Sequence, residues 1–397
     1  MTPAAMQSKG DSGTPEVSVV MPCLNEADTL AVCIEKAQRA LRQNDIAGEI
    51  IVADNGSTDA SRDIALRHGA RVVEVPFPGY GSALMGGIEA ARGKFIIMGD
   101  ADDSYDFSEI PKFVERLRSG FDLVQGCRLP SGGGTIVPHA MPLLHRWVGN
   151  PFLSWLVRRW FHAPIHDVYC GLRGFRKDLF ERLDQRCAGM EFATEMIIKA
   201  TLLHENITEV PVTLHPDGRR SHAAHLKTFR DGWRTLRFFL MCSPRRLFLW
   251  PGVALMVAGS CGYAVALPGL AIHGIHFDAH TLLFASLFIL CGYQSMVFAI
   301  FARTFAVTEG ILPPNRNLVR FYEVITLEKG LAAALLAMLV GMGLLLAAVN
   351  RWRLAGFGDL DYASTMRLVI PGATSLALGF QTVLSSFLIS MLGMKRR

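Results

Sequence analysis

Charged side chains are scarce in the last 151 residues of this chain. Only 10 of its 40 Lys and Arg residues and 6 of its 35 Asp and Glu residues follow Arg246. So little charge excludes an ordinary water-exposed surface and indicates a change of solvent from water to lipid. We therefore predict a soluble region that ends at Arg246 and a membrane region that follows it.

Paired cysteines, a strongly basic composition and an apolar leader are also lacking. The eight cysteines form no Cys-x-x-Cys motif and no regular pairs, so neither a zinc site nor a disulfide framework is indicated. The net charge of +5 is too small to indicate a nucleic-acid-binding protein. Residues 1–16 are polar, so we expect a disordered tail and not a cleavable signal peptide.

Four apolar stretches without charged residues follow Arg246. They are Leu247–Ile272, Thr281–Ala302, Gly330–Val349 and Leu368–Leu392. About 20 helical residues cross a hydrocarbon core about 30 Å thick, so each stretch can span a membrane; the alternative is a set of buried helices in a soluble protein. Lys and Arg precede the first span, separate the second from the third and end the chain. This pattern predicts an integral protein of the plasma membrane, or of a bacterial inner membrane, with the soluble domain and both termini cytoplasmic. Arg351, Arg353 and Arg367, between the third and fourth spans, depart from the rule.

A basic amphipathic pattern occupies residues 222–246, just before the first span. Its apolar positions recur at spacings of three and four: Leu226, Phe229, Trp233, Leu236 and Leu240. The pattern predicts a helix that lies in the headgroup layer or, alternatively, packs on the soluble domain. Three Trp residues in the segment 146–161 indicate a second contact with the bilayer.

Short apolar runs alternate with helical patterns from Val17 onward. The runs predict strands at Val17–Met21, Ile50–Ala53, Val72–Val75, Phe95–Met98 and Leu123–Gln125. The intervening segments predict helices near Glu26–Arg42, Asp59–His68, Ser82–Ala91 and Ser108–Arg118. This alternation predicts an α/β domain over residues 17–221, with a mostly parallel sheet covered by helices on both faces. Such sheets bind ligands at the carboxyl ends of their strands.

Polar and acidic residues follow three of these strands. Asp100 and Asp102 lie one residue apart directly after Phe95–Met98. Two neighbouring carboxylates favour a hard cation such as Mg²⁺ or Mn²⁺, with a diphosphate as a further ligand; the alternative is a solvated turn. Asp54 follows the second strand and suits ligand binding, an Asx-turn or both.

Four motifs occur in a fixed order along the soluble region. They are Val-Ser-Val-Val-Met-Pro-Cys-Leu-Asn-Glu (17–26), Val-Ala-Asp-Asn-Gly-Ser-Thr-Asp (52–59), Gly-Tyr-Gly-Ser-Ala-Leu (79–84) and Gly-Asp-Ala-Asp (99–102). This order resembles the inverting family 2 glycosyltransferases with a GT-A fold. The nearest branch is that of the dolichol-phosphate mannose or glucose synthases and their bacterial polyprenyl-phosphate relatives. Later motifs at 125–128, 167–176 and 189–196 favour the polyprenyl-phosphate branch.

The resemblance implies a reaction and roles for individual residues. A sugar would pass from a GDP- or UDP-linked donor to a polyisoprenyl phosphate, with a divalent cation, Mg²⁺ or Mn²⁺, as cofactor. The implied nucleotide-binding residues are Pro22, Asn25, Glu26, Asp54 and Asp100. The implied metal ligands are Asp100 and Asp102, and the implied catalytic residues are Asp102, Arg128 and Glu195. The acceptor phosphate would meet Arg173, Arg176, Arg219, Arg220 and Lys227, and the glycine-rich loop Ser131–Gly134 is a candidate lid or a plain connection.

The implied chemistry asks mainly for positioning. A lipid phosphate has a second pKa near 6, so it is largely an oxyanion at neutral pH and needs no strong general base. The protein must instead supply cations that hold two anionic substrates together. Two other functions stay open: a processive polysaccharide synthase, whose Gln-x-x-Arg-Trp signature is absent from this sequence, and a non-catalytic nucleotide-sugar-binding scaffold. The sugar and the nucleotide are not specified, and a homo-oligomer is possible.

Overall fold

The computed structural model describes residues 14–219, 228–272, 275–313 and 316–393. Most of the predicted N-terminal tail therefore lies outside the described residues, as do Arg220 and Lys227. The chain divides into two compact units, one that ends at Arg237 and one that begins at Phe238.

A seven-stranded sheet forms the centre of the first unit. Its strands are β1 (Val17–Cys23), β2 (Gly48–Asp54), β3 (Arg71–Glu74), β4 (Phe95–Met98), β5 (Leu123–Cys127), β7 (Arg173–Arg176) and β8 (Ile207–Pro211). A separate two-stranded sheet pairs β6 (Thr135–Ile136) with β9 (Thr213–Leu214). The order of the large sheet is β3-β2-β1-β4-β7-β5-β8. All five predicted strands are present, and the mostly parallel α/β architecture is confirmed.

Helices separate the strands of the first unit. They are α1 (Leu30–Gln43), α2 (Ser61–Arg67), α3 (Tyr80–Ala90), α4 (Ile110–Arg118), α5 (Asn150–Phe161), α6 (Lys177–Leu183), α7 (Phe192–Leu202) and α8 (Thr228–Cys242), of which α8 continues into the second unit. The first helix starts four residues later than predicted, after a turn in which the backbone N–H groups of Thr29 and Leu30 donate to the Glu26 carbonyl oxygen. The central strands are buried on both faces, as the continuous apolar runs require.

Strand direction decides which residues meet at the carboxyl edge of the large sheet. β1 runs parallel to β2 and β4, so the segments that follow these three strands emerge at the same edge. β7 runs antiparallel to β4 and β5. It therefore begins at that edge with Arg173, opposite Met98, and ends at the other edge with Arg176, opposite Phe95.

The second unit consists mainly of long apolar helices. Its elements are α9 (Trp250–Ala266), the short strands β10 (Ala271–Ile272) and β11 (Ile275–His276), α10 (Ala279–Thr308), α11 (Arg316–Val324), α12 (Leu327–Leu354) and α13 (Tyr362–Gly393). Within the described ranges, four helical segments are long and apolar enough to cross a membrane, and they begin at Arg245, Ala279, Leu327 and Tyr362. The first ends at Ala266, earlier than predicted, because Ala271–Ile272 pairs with Ile275–His276.

Glycines allow close contact within two pairs of these helices. A Cβ at Gly292 would lie 2.7 Å from the carbonyl oxygen of Gly252, where α10 crosses α9. A Cβ at Gly341 would lie 2.7 Å from the carbonyl oxygen of Gly372, where α12 crosses α13. Small residues let helix backbones approach closely. In lipid, where the hydrophobic effect does not drive helices together, this close van der Waals packing stabilises their association. The hydroxyl of Tyr263 on α9 also donates to Thr374 on α13 at 3.2 Å.

Candidate active site

The turns after β1 and β2 are joined by hydrogen bonds. The side-chain oxygen of Asn25 accepts from the backbone N–H of Thr58 at 2.8 Å. The backbone N–H of Glu26 in turn donates to the Ser61 hydroxyl at 2.9 Å. Pro22 lies near the end of β1, beside Ala53 on β2. Pro22, Asn25 and Glu26 thus lie at the same edge of the sheet, where the resemblance predicts the nucleotide.

Asp54 lies at the end of β2 and is buried. Its carboxylate accepts from the backbone N–H of Ser57 at 3.2 Å and from Nε of Arg62 at 2.6 Å. Burial alone raises the pKa of Asp54, but the hydrogen bonds from Ser57 and Arg62 outweigh it and hold the pKa below its usual value. The Asx-turn weighed for this residue is therefore present, and the carboxylate is ionised at neutral pH.

Asp100 follows β4, and its carboxylate is enclosed on two sides. The hydroxyl of Tyr80 donates to Oδ1 of Asp100 at 2.8 Å. Oδ2 lies against Gly171, where an added Cβ would come within 2.3 Å of it. Burial, reinforced by the charge of Asp102, raises the pKa of Asp100 to about 6. A cation near both carboxylates would relieve this repulsion.

Asp102 has partners on both carboxylate oxygens. Oδ1 accepts from the Ser104 hydroxyl at 2.6 Å and from the Ser104 backbone N–H at 3.1 Å. Oδ2 lies 3.1 Å from Nη1 of Arg219. The Ser104 hydroxyl thereby orients the Asp102 carboxylate. Among the described residues, no group of three or more His, Cys, Asp or Glu side chains could hold a metal ion.

Arg219 joins the turn after β1 to Asp102. Its Nε donates to Oε2 of Glu26 at 2.9 Å, and both side chains are largely buried. Burial lowers the pKa of Arg219, but the hydrogen bond to Glu26 and the charge of Asp102 outweigh it and raise the pKa above its usual value. A permanent positive charge therefore lies between a predicted nucleotide-pocket residue and a predicted metal ligand.

The guanidinium of Arg128 forms hydrogen bonds with other side chains of the first unit. Its Nε and Nη2 donate to the two carboxylate oxygens of Asp167 at 2.7 and 2.9 Å, and Nη1 donates to the Tyr105 hydroxyl at 3.2 Å. Both members of the pair are buried. This bidentate pair fixes Arg128 to the loop before β7, and the expected phosphate contact of Arg128 stays a prediction.

Arg173 and Arg176 also have structural roles. Arg173 is fully buried, and its guanidinium donates to the carbonyl oxygens of Ala193 at 2.7 Å and Cys170 at 3.1 Å. Arg176 lies at the opposite edge of the sheet, where it pairs with Asp178 at 3.0 Å. Arg173 is thus enclosed, and Arg176 lies at the far end of an antiparallel strand. Their expected acceptor contacts stay predictions.

Glu195 is buried on α7 and does not project as a free carboxylate. It pairs with Lys199 at 2.8 Å and accepts from the backbone N–H groups of Arg186 and Cys187 at 3.0 and 2.9 Å. Glu195 therefore holds the loop before α7, and its expected catalytic role stays a prediction. Glu191, one helical turn earlier, pairs with Arg234 of α8 at 3.0 Å.

Several contributors to the site were not predicted from the sequence. Tyr80 belongs to the Gly-Tyr-Gly-Ser-Ala-Leu motif, which supports the family resemblance but did not indicate a function for Tyr80. Asp167 begins the motif at 167–176 but had no assigned role, and Arg62 and Tyr105 lie outside the motifs; tertiary contacts bring all three to the site. The loop Ser131–Gly134 packs on the end of β5, and a Cβ at Gly134 would lie 2.1 Å from the Cys127 carbonyl oxygen.

The two units together define a membrane-bound α/β enzyme, and comparison with known proteins gives its family. Residues 18–184 match the family described as "Glycosyl transferase family 2", and residues 300–393 match "Glycosyltransferase family 2 C-terminal transmembrane region". The "Low-salt glycan biosynthesis hexosyltransferase Agl6" of Haloferax volcanii is 39% identical over 383 residues, which cover 96% of this chain and 89% of that protein. The chain belongs to glycosyltransferase family 2 and is an integral membrane protein.

Two further relatives match the first part of the chain. The "Dolichyl-phosphate hexose transferase" of Haloferax volcanii is 30% identical over 217 residues, or 55% of this chain and 89% of that protein. The "Undecaprenyl-phosphate 4-deoxy-4-formamido-L-arabinose transferase" of Pseudomonas fluorescens is 30% identical over 204 residues, or 49% of this chain and 56% of that protein. A crystal structure of glucosyl-3-phosphoglycerate synthase from Mycobacterium tuberculosis is 23% identical with a TM-score of 0.45, covering 57% of this chain and 79% of that one.

Proposed function

We propose that this glycosyltransferase moves a sugar from a nucleoside-diphosphate sugar to a polyisoprenyl phosphate and so makes a lipid-linked sugar. The observation that carries the proposal is the cluster of Glu26, Arg219, Asp100 and Asp102 at the carboxyl edge of the sheet. The described residues of the same chain also include four helices long and apolar enough to span a membrane. The names of two relatives, a dolichyl-phosphate hexose transferase and an undecaprenyl-phosphate sugar transferase, support the acceptor class.

The donor binds at the turns after β1, β2 and β4 in this proposal. Pro22, Asn25 and Asp54 face the nucleotide, and Asp100 and Asp102 hold Mg²⁺ or Mn²⁺. Carboxylate oxygens are the ligands that these hard cations prefer. Burial and, after it, the charge of Asp102 raise the pKa of Asp100, and a bound cation would offset both effects. When bound, the cation stabilises the negative charge of the departing nucleoside diphosphate.

The acceptor phosphate approaches Arg219 in this proposal. Its guanidinium is permanently charged and adjoins Asp102, so it can balance charge that develops on either substrate. Arg220 and Lys227 follow it in the sequence and remain proposed acceptor contacts. Arg128 and Arg173 hold these elements in place through Asp167 and the Ala193 carbonyl, and their phosphate contacts stay predictions.

Two surfaces of the first unit suit contact with the bilayer. On α5 and the π-helical turn before it, large apolar side chains are exposed along one face: Leu144, Trp147, Val148, Phe152 and Trp155. The sequence contains no Asp or Glu between Asp122 and Asp167, so an anionic membrane surface would not repel this region. Trp233 on α8 is also exposed. We propose that both surfaces rest in the headgroup layer and that this unit and both termini are cytoplasmic.

A transfer assay tests the proposed function. The purified full chain is incubated with a panel of UDP- and GDP-linked sugars, a polyprenyl phosphate and Mn²⁺, and the lipid product is identified by mass spectrometry. We expect one sugar to be added to the lipid phosphate from one donor, and no product when EDTA removes the cation. A protein that binds nucleotide sugars but transfers none of them to any polyprenyl phosphate would contradict the proposal.

A further inference from the structure

The side chain of Tyr80 lies at the first turn of α3 and contacts one of the two paired carboxylates. Its hydroxyl donates to Oδ1 of Asp100 at 2.8 Å, while Gly171 limits the space beside Oδ2. The tyrosine ring is half-buried, so its own position is restricted by the surrounding structure. We propose that Tyr80 is a positioning residue that sets the direction of the Asp100 carboxylate. The inference rests on the proposed cation site and names a residue that controls it.

The backbone around Tyr80 is held from one side by Asn55. The Asn55 side-chain oxygen accepts from the backbone N–H of Gly79 at 2.8 Å, and its Nδ2 donates to the carbonyl oxygen of Val75 at 3.0 Å. The segment between β3 and α3 is thereby attached to the turn that follows β2. The first turn of α3 cannot slide along the sheet edge without breaking these bonds.

The loop that contains Cys187 and Ala188 holds the same turn from the other side. The backbone N–H of Ser82 donates to the Ala188 carbonyl oxygen at 3.1 Å. Gly79 has φ +134°, and a Cβ there would lie 2.3 Å from that same oxygen. A Cβ at Gly81 would lie 2.2 Å from the Cys187 carbonyl oxygen. Glycine on each side of Tyr80 is therefore what lets the loop backbone press directly on this turn.

The loop is in turn fixed by the buried pair on α7. Glu195 accepts from the backbone N–H of Cys187 at 2.9 Å and pairs with Lys199 at 2.8 Å. The ammonium of Lys199 also donates to the Asp184 carbonyl oxygen at 2.7 Å. A continuous series of contacts thus runs from Glu195 through the loop and the first turn of α3 to Tyr80 and Asp100. Glu195 influences the site through this series and not by touching a substrate.

A hydroxyl that orients a metal-binding carboxylate has a measurable effect on the metal. Loss of such an outer partner typically weakens metal affinity by about 10- to 100-fold, because the ligand then samples several directions. Tyr80→Phe keeps the ring and removes only the donor. We expect this variant of the full chain to bind Mn²⁺ at least about tenfold more weakly in the presence of UDP or GDP, as measured by electron paramagnetic resonance of free Mn²⁺.

A matched control comes from the second unit. The hydroxyls of Tyr322 and Thr304 lie 2.7 Å apart, so Tyr322→Phe also removes one hydrogen-bonded tyrosine hydroxyl. This variant should bind Mn²⁺ as the wild type does. Unchanged Mn²⁺ affinity in Tyr80→Phe would overturn the positioning role. If the wild type itself showed no Mn²⁺ binding with either nucleotide, the proposed cation site would fail and the positioning role with it, whereas the lipid-transfer assay would still report on the acceptor.

The glycine contact gives a second test of the series. Gly81→Ala places a methyl group against the Cys187 carbonyl, so the loop or α3 must move. We expect Gly81→Ala to lower the affinity for Mn²⁺. The double variant Tyr80→Phe, Gly81→Ala should bind Mn²⁺ as tightly as the single variant with the lower affinity, because both changes act through Asp100. Additive losses would overturn the connection between the loop and Tyr80. If Gly81→Ala does not fold, Glu195→Gln replaces it, because this change removes the charge that pairs with Lys199. We again expect a lower affinity for Mn²⁺ and no additive loss in the double variant with Tyr80→Phe.

Discussion

At the scale of single residues, Asp102 carries the clearest expectation. Asp102→Ala removes a proposed metal ligand and should lower the rate of sugar transfer on the order of 10²-fold or more, since charge stabilisation by the ion is worth several kcal/mol. Steady-state kinetics with saturating donor and Mn²⁺ measure this loss. Asp103→Asn is the matched control, because Asp103 pairs with Lys36 at 2.7 Å and its φ of +60° is one that Asn tolerates. Normal turnover of the wild type in EDTA would contradict the metal assignment.

Arg219 leads to a different expectation, because it pairs with a proposed metal ligand. In Arg219→Gln, Asp102 loses a cation that lies 3.1 Å from Oδ2, so Mn²⁺ meets less competition and should bind more tightly. Turnover should nevertheless fall on the order of 10²-fold, because a charge that stabilises the reacting phosphates is removed. Mn²⁺ titration and steady-state kinetics on the same preparation separate the two effects.

A surface arginine provides the comparison for Arg219. Arg118 pairs with Glu16 at 2.6 Å and is about half exposed, so Arg118→Gln removes an ion pair of small worth. This variant should leave both Mn²⁺ affinity and turnover unchanged. Tighter metal binding without a loss of turnover in Arg219→Gln would show that Arg219 restrains Asp102 and does not serve the phosphates.

At the scale of elements, the crossing of α12 and α13 depends on glycine. Gly341→Ala places a Cβ 2.7 Å from the Gly372 carbonyl oxygen and should destabilise the second unit by about 1–3 kcal/mol. Gly343→Ala lies two residues along the same helix, where an added Cβ meets no atom within 4 Å. It should be neutral or slightly stabilising, since alanine is the better helix former. Thermal unfolding of both variants in the same detergent measures the difference, and equal unfolding temperatures would contradict the close crossing.

At the scale of the whole molecule, the expected product has one sugar and an inverted anomeric centre. A lipid phosphate that attacks the anomeric carbon directly must displace the nucleoside diphosphate from the opposite face, so an α-linked donor gives a β-linked sugar phosphate. Nuclear magnetic resonance of the purified glycolipid reports the configuration. Retention, or a glycan that lengthens with time, would contradict direct transfer, and the lengthening glycan would favour a processive synthase.

The sequence by itself determined the first five strands and the first four helices, the membrane region and the acidic pair. The runs Val17–Met21 and Phe95–Met98 are strands, and Asp100 and Asp102 follow β4 at the carboxyl edge. These features are predictable because burial in a sheet or in lipid acts on consecutive residues, and the pattern of apolar side chains records it locally. Helix starts were less accurate: α1 begins only after the turn that follows Glu26.

Only the tertiary structure decided which arginines face the site. Arg128 pairs with Asp167 and Arg219 with Glu26, across 39 and 193 residues of sequence. Strand direction alone moved Arg176 to the far edge of the sheet, since β7 runs antiparallel to its neighbours. A charged side chain looks the same in a sequence whether it binds a substrate or a buried carboxylate. Its role depends on which distant groups the fold brings within hydrogen-bonding distance, and no local pattern records that distance.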